Sequence, residues 1–188
     1  MQGYYNRPEA TAKVLNSEGW FDTGDLGLLT PAGDIVLTGR QKDTIVLSNG
    51  ENIEPQPIED ACIRSPYVDQ IMLVGQDQKA LGALIVPNVE ALQLWLTESG
   101  YALELPGQSP SGGKKVTLES KVIQDLYRQE LVREIKNRPG YRPDDRIADF
   151  RFILEPFTID NGLLTQTLKI RRHVVMERYH DMINGMFS

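Results

Sequence analysis

"LTGRQKDTIVLSNGENIEPQPIE", residues 37–59, decides how the chain is divided and folded. "LTG" ends one strand, Arg40, Lys42 and Asp43 crowd a short link, and "TIV" begins a new β-branched run. Asn49-Gly50 separates that run from "NIEP". Asn-Gly between such runs is a strong hairpin signal, because both central residues tolerate positive φ. From Pro57 the period turns helical: Ile58, Ala61 and Cys62 recur at i, i+3 and i+4, with acids in the first turn. A strand, a charged link and a hairpin feeding a helix predict a unit boundary here, with residues 1–41 on one side and 42–188 on the other.

Upstream, Pro8 and Glu9 suit the start of a helix over 8–16. Residues 19–40 read as strands and turns, with "PAGD" (31–34) a tight hairpin between "LGLL" and "IVLTG". Downstream, residues 69–87 read as two apolar strands around "QDQK". Residues 88–99 read as a helix with Leu92, Trp95 and Leu96 on one face. The Pro/Gly/Ser-rich stretch at 104–115 predicts an exposed, flexible insertion near 100–117. A long helix over 118–138 presents Val122, Leu126, Tyr127 and Leu131, and a strand follows over 149–157. Residues 170–187 read as one last helix, with Val174, Val175, Tyr179, Met182, Ile183 and Met186 at helical spacing. With no βαβ rhythm and no fixed repeat, the class is α+β.

A chain of 188 residues, 40% hydrophobic and 24% charged, can bury a core and has the composition of a globular protein. The net charge of −6 argues against a nucleic-acid backbone binder, and "KIRRH" (169–173) is too short to reverse it. The single Cys62 excludes an internal disulfide and suits a reducing compartment; with His173 and His180 alone beside it, a metal site is not expected. No apolar run approaches the ~18–20 residues that span a bilayer, and the first residues lack a signal core. A cytoplasmic or similarly reducing location is therefore expected.

Several stretches invite a chemical reading. "SGGKK" (111–115) fails as a phosphate loop, because Gly113 stands where the lysine belongs and no Ser/Thr follows Lys115. His173 and His180 have no nucleophile in a recognisable elbow. In "TGDLG" (23–27), Asp25 could offer two acceptor oxygens to a ribose cis-diol, although Gly-Asp is also ordinary turn chemistry. Arg40 suits phosphate or ribose oxygens and equally suits solvent. In "NGLLTQTLKIRR" (161–172), Lys169 stands where a soft Gly/Thr segment stiffens into a basic helix. It is either a solvated helix-start residue or a charge that a movable loop delivers.

Together and in this order, "GWFDTGDLG" (19–27), "LTGRQKDTIVLSNGENIEPQPIE" and "NGLLTQTLKIRR" resemble the C-terminal part of the adenylate-forming ligase superfamily. Its members include acyl-CoA synthetases, luciferases and peptide-synthetase adenylation domains. The final motif, Asn-Gly-Leu-x-Thr-x-Thr-x-Lys, is that of long-chain acyl-CoA synthetases. "RQELVREIKNRPGYRPDDRI" (128–147) is similar to acyl–acyl-carrier-protein synthetases of photosynthetic lineages.

The resemblance implies a small C-terminal domain with a short β-hairpin and a three-stranded sheet flanked by helices. A remnant of the large nucleotide-binding domain's last β sub-barrel would precede it. It implies that Asp25 holds the ribose hydroxyls of ATP and acyl-AMP and that Arg40 contacts the nucleotide. Lys42 is then the hinge, and Gly50 lies in the loop brought up for thioester formation. Lys169 bridges the acyl carboxylate and the α-phosphate. The implied reaction joins fatty acid and ATP (with Mg2+) into acyl-AMP and pyrophosphate, then transfers the acyl group to CoA or a phosphopantetheinyl acyl carrier protein. Peripheral membrane association of the parent enzyme is a further implication. The family's phosphate loop, a Ser/Thr/Gly-rich run before Pro-Lys-Gly, does not occur, so Met1 is expected to be internal to a longer enzyme or the start of a truncated frame. The isolated chain is then expected to be inactive. The competing expectation is a non-catalytic module that binds a carrier protein or a ligase partner.

Overall fold

The computed structural model of the chain describes residues 1–107 and 113–188; part of the "SGGKK" stretch lies outside them. The described residues divide into two compact units, Met1–Thr44 and Ile45–Ser188.

In the first unit, helix α1 spans only Pro8–Ala12, shorter than the expected 8–16. None of its residues is buried, so no apolar face holds a longer helix. The chain instead turns back, with a bridge between Leu15 and Phe21. Strands β1 (Asp25–Leu29) and β2 (Ile35–Arg40) form the expected antiparallel hairpin. Gly33, at φ +89°, closes its turn, a conformation that side-chain-bearing residues adopt at a cost. Leu28, Leu29, Ile35 and Leu37 on this hairpin are exposed.

In the second unit, β3 (Ile45–Val46) and β4 (Asn52–Ile53) pair as the second hairpin. Its turn departs from the two-residue type read from Asn-Gly. Leu47 N–H donates to Glu51 O at 2.9 Å, and of the two central residues only Gly50 has positive φ. Asn49 contributes its side chain instead, accepting from Glu51 N–H at 3.0 Å. Helix α2 (Pro55–Cys62) starts two residues earlier than expected, because Pro55 suits the first helical position. That places Glu59 beyond the first turn and inside the fold.

Strands β5 (Val68–Val74), β6 (Leu81–Pro87) and β9 (Ile147–Phe152) form a three-stranded sheet in the order β5-β6-β9. β5 and β6 are the expected hairpin, whereas β9 runs parallel to β6. The long connection that a parallel pair requires is made by α3 (Val89–Glu98), β7 (Tyr101–Leu103), β8 (Lys114–Val116) and α4 (Lys121–Lys136). The segment expected to be an exposed insertion therefore has ordered flanks. β7 and β8 pair in parallel and bury Leu103 and Val116 in the core.

One face of the sheet, with Ile71, Leu73, Ala83 and Ile85, packs against α2, α3 and α4 through Ile58, Leu92, Leu96 and Tyr127. The opposite face, with Met72, Val74, Leu84 and Val86, packs against Phe157, Leu163, Val175 and Met186 from the C-terminal segment. Burial of both faces explains the unbroken apolar runs of β5 and β6. The last helix is in fact two, α5 (Arg172–Arg178) and α6 (His180–Asn184). The break falls at Tyr179, whose ring packs on the second cluster while its hydroxyl donates to Glu155 at 3.3 Å. These are the hairpins, mixed three-stranded sheet and flanking helices expected of the α+β class.

Candidate functional site

The "TGD" turn in the first unit is built from its own side chains. Asp22 Oδ1 accepts from Gly24 N–H at 2.8 Å, and Thr23 Oγ1 accepts from Asp25 N–H at 3.1 Å. Gly24, at φ +66°, lets the chain reverse there. Asp25 and Arg40 are partners in the β1–β2 register, and Arg40 Nε lies 2.9 Å from Asp25 Oδ1. The Nε–H is too far off line to be a hydrogen bond, so the contact is ionic. Arg40 Nη2 donates to Thr23 O at 2.9 Å, which tethers the guanidinium to the turn. The two side chains are 41% and 34% exposed, Arg40 first. A pair so exposed contributes at most ~1 kcal/mol to stability, so its consequence is orientation. Asp25 keeps acceptor capacity for neighbouring hydroxyls.

Lys42 is exposed on a single 3₁₀ turn, Gln41–Asp43, just before the division between the units. Gly50 sits at φ +87°, and a Cβ there would meet nothing within 4 Å. The constraint on it is conformational, and the space around it is open to a partner. Asn49 Nδ2, beside it, donates to Asp144 Oδ1 at 3.2 Å.

Lys169 is not on the first turn of a helix. Residues 164–170 form a closed turn bounded by a bridge between Leu164 and Ile170. Thr165 N–H donates to Lys169 O at 2.8 Å, and Lys169 N–H donates to Thr165 Oγ1 at 3.1 Å. Leu168, exposed and at φ +58°, makes the reversal. The expected softness of the segment is therefore replaced by a hydrogen-bonded turn that holds the lysine's backbone from both sides and leaves its side chain exposed. The stem is anchored as well: Leu163 is fully buried, and Asn161 Oδ1 accepts from Thr158 N–H and Leu163 N–H at 3.1 and 3.2 Å.

Sequence reading missed one pair. Glu59, 3% exposed on α2, accepts from Arg172 Nη2 and, at 2.7 Å, from Leu73 N–H. Arg172 Nη1 donates to Leu73 O at 3.0 Å. Burial pushes the Glu59 carboxyl above its usual range, and the Arg172 charge and the Leu73 N–H pull it back. The available signal was a glutamate among the apolar helix positions Ile58, Ala61 and Cys62, with an arginine beginning a distant helix.

A cavity of about 460 Å³ between α4 and β9 is lined by residues including Arg128, Leu131, Ile135, Lys136 and Phe150, and by none of the five candidates above. His173 and His180 are exposed. Among the described residues no three His, Cys, Asp or Glu side chains cluster as metal ligands. Among them, too, no helix is long and apolar enough to cross a membrane.

Residues 42–99 match the family model described as AMP-binding enzyme C-terminal domain. The whole chain is 41% identical to a long-chain-fatty-acid–[acyl-carrier-protein] ligase, AEE15, chloroplastic, of Arabidopsis thaliana, of which it covers 24%. It is 32% identical to long-chain-fatty-acid–CoA ligase 1 of Homo sapiens, covering 26% of that protein. The structure superposes, with a TM-score of 0.78 and 28% identity, on the A domain of the carboxylic acid reductase from Segniliparus rugosus in complex with AMP and a co-purified carboxylic acid. That match covers 100% of this chain and 26% of the other. The chain thus spans about a quarter of the length of the relatives it matches.

Proposed function

From a chain that corresponds to the C-terminal part of the adenylate-forming ligases related to long-chain acyl-CoA and acyl-carrier-protein synthetases, we propose that it serves a two-step fatty acid activation. In the first step a fatty acid carboxylate attacks the α-phosphorus of ATP, accompanied by Mg2+, and pyrophosphate leaves. In the second a thiol attacks the acyl carbonyl of acyl-AMP and AMP leaves. The acceptor is the phosphopantetheine thiol of CoA or of an acyl carrier protein.

The observation that carries this reading is the presentation of Lys169: an exposed ammonium on a turn closed at both backbone positions. Joining a carboxylate to a phosphate brings two anions together, and a positioned cation stabilises the charge where it accumulates. Asp25 accepts the two ribose hydroxyls, with Arg40 holding its carboxylate in place and adding positive charge beside the nucleotide. Lys42 marks the hinge at which residues 42–188 turn as the mobile domain against residues 1–41 and the larger part of the ligase. Turning withdraws Lys169 after adenylation and brings the Gly50 hairpin to the thioester step. The exposed leucines and isoleucine of the β1–β2 hairpin fit a strand pair that the larger part of the ligase covers. A plastid-stroma-type compartment accords with the chloroplastic relative of Arabidopsis thaliana.

The test is a chimera in which this chain replaces the corresponding segment of the Arabidopsis ligase. The expected result is fatty-acid-dependent pyrophosphate release by the chimera and none by the isolated chain. A folded chimera that releases no pyrophosphate, or an isolated chain that does, contradicts the proposal.

A further inference from the structure

The Lys169 turn and the Gly50 hairpin stand on elements that a buried charge cluster ties together. Arg172 follows Lys169 by one turn of chain and opens α5; Glu59 lies on α2, which leaves directly from the Gly50 hairpin. Between them runs β5, with both backbone groups of Leu73 engaged: its N–H by Glu59 and its carbonyl by Arg172. The guanidinium is thus held at two points by groups on two different elements, and the glutamate by two donors. The Arg172 and Glu59 side chains are 15% and 4% exposed.

A buried ion pair seldom adds net stability over an apolar replacement, while removal of one partner strands the other charge. The geometry therefore points to a placement role. We infer that Arg172 and Glu59 are positioning residues, which fix the Lys169 turn to the same body as the Gly50 hairpin. The two reactive loops then keep one fixed spacing, and a single rotation that removes one delivers the other. Arg171 reinforces the turn locally, its N–H donating to Leu163 O at 2.8 Å and its Nη1 to Gly162 O at 3.2 Å. Leu163, Leu164 and Ile170 seat the stem of the turn on the apolar face that includes Met72 and Val74 of β5, and Arg172 adds the polar link to Leu73 on β5 and to Glu59 on α2. This inference rests on the roles proposed for Lys169 and Gly50.

Amide hydrogen exchange on the full chain tests it in Glu59→Gln, which keeps an acceptor for Leu73 N–H, and in Arg172→Lys, which keeps the charge and loses the fork. The expected result is exchange at least ~10-fold faster at the Thr165, Leu168, Lys169 and Arg171 amides, with β5–β6 amides within about 2-fold of the parent. Unchanged turn amides overturn the inference. So does equal acceleration of turn and sheet, or unfolding of both variants, since either marks a general structural contribution. If the turn amides respond as expected while Lys169→Ala leaves adenylation intact, the placement stands and the role given to Lys169 falls.

Discussion

Asp25 and Arg40 face each other across the β1–β2 register at 2.9 Å, and a hydrogen bond from Arg40 Nη2 to Thr23 O ties the arginine to the turn that carries the aspartate. An acceptor held this way has little freedom to lose when it engages a diol. Asp25→Ala in the ligase is expected to weaken ATP binding by about tenfold or more, at ~1.4 kcal/mol per tenfold, with little change in thermal stability. Isothermal titration with ATP, alongside a melting curve, checks both parts. Unchanged affinity would remove Asp25 from the nucleotide site.

Gly50 is constrained by its φ of +87° and not by its surroundings. Gly50→Ala should therefore cost about 1 kcal/mol through left-handed strain. It should slow acyl transfer from preformed acyl-AMP more than it slows pyrophosphate release. Urea denaturation and the two half-reaction assays measure these effects separately; equal slowing of both steps would detach Gly50 from the thiol step.

Leu168 holds φ +58° with its side chain exposed, so it has backbone strain and little burial to offset it. Asn tolerates this region better than Leu. Leu168→Asn is expected to leave the melting temperature unchanged or raise it, whereas a marked fall would show that the leucine packs against something in the native protein.

Cys62 is buried, and burial, followed by the charges of Glu59 and Glu134, pushes its thiol up from 9.0 to about 12. A thiol whose folded pKa is raised stays protonated in the native state while the unfolded chain ionises. Its stabilising contribution is whole below pH 9.0 and is lost as the pH rises toward 12. The native protein should react with a thiol reagent at neutral pH far more slowly than the urea-unfolded chain. Between pH 9 and 10, below the ordinary tyrosine range, Cys62→Ala should flatten the fall in the urea midpoint. Equal labelling of native and unfolded protein would contradict the buried placement.

Much of this fold was legible because its signals are local. Apolar runs bounded by turns marked β5 and β6, and Leu92, Trp95 and Leu96 on one face marked α3. What escaped depended on distant partners. The parallel pairing of β9 with β6 is decided by packing across a long connection. The β7–β8 ribbon hides in a Gly/Pro/Ser-rich composition because two buried residues, Leu103 and Val116, are enough to seat it. At the candidate site, Asp25, Arg40 and Lys169 stood out by their chemistry, while Lys42 and Gly50 were singled out only by the resemblance of their motifs. Glu59 and Arg172 stood out by neither, because their meaning lies in a contact spanning most of the second unit. The Lys169 turn was misread as soft because Thr and Gly suit loops, while the hydrogen bonds that close this one run through Thr165.

The central claim is that Lys169 acts in adenylation and leaves before acyl transfer. Its most direct test measures both half-reactions of Lys169→Ala in the ligase: ATP–pyrophosphate exchange with a fatty acid, and acyl transfer from preformed acyl-AMP. The account predicts that exchange falls about 100-fold or more while transfer keeps most of its rate. Equal loss of both, or an exchange rate matching the parent enzyme, would contradict it.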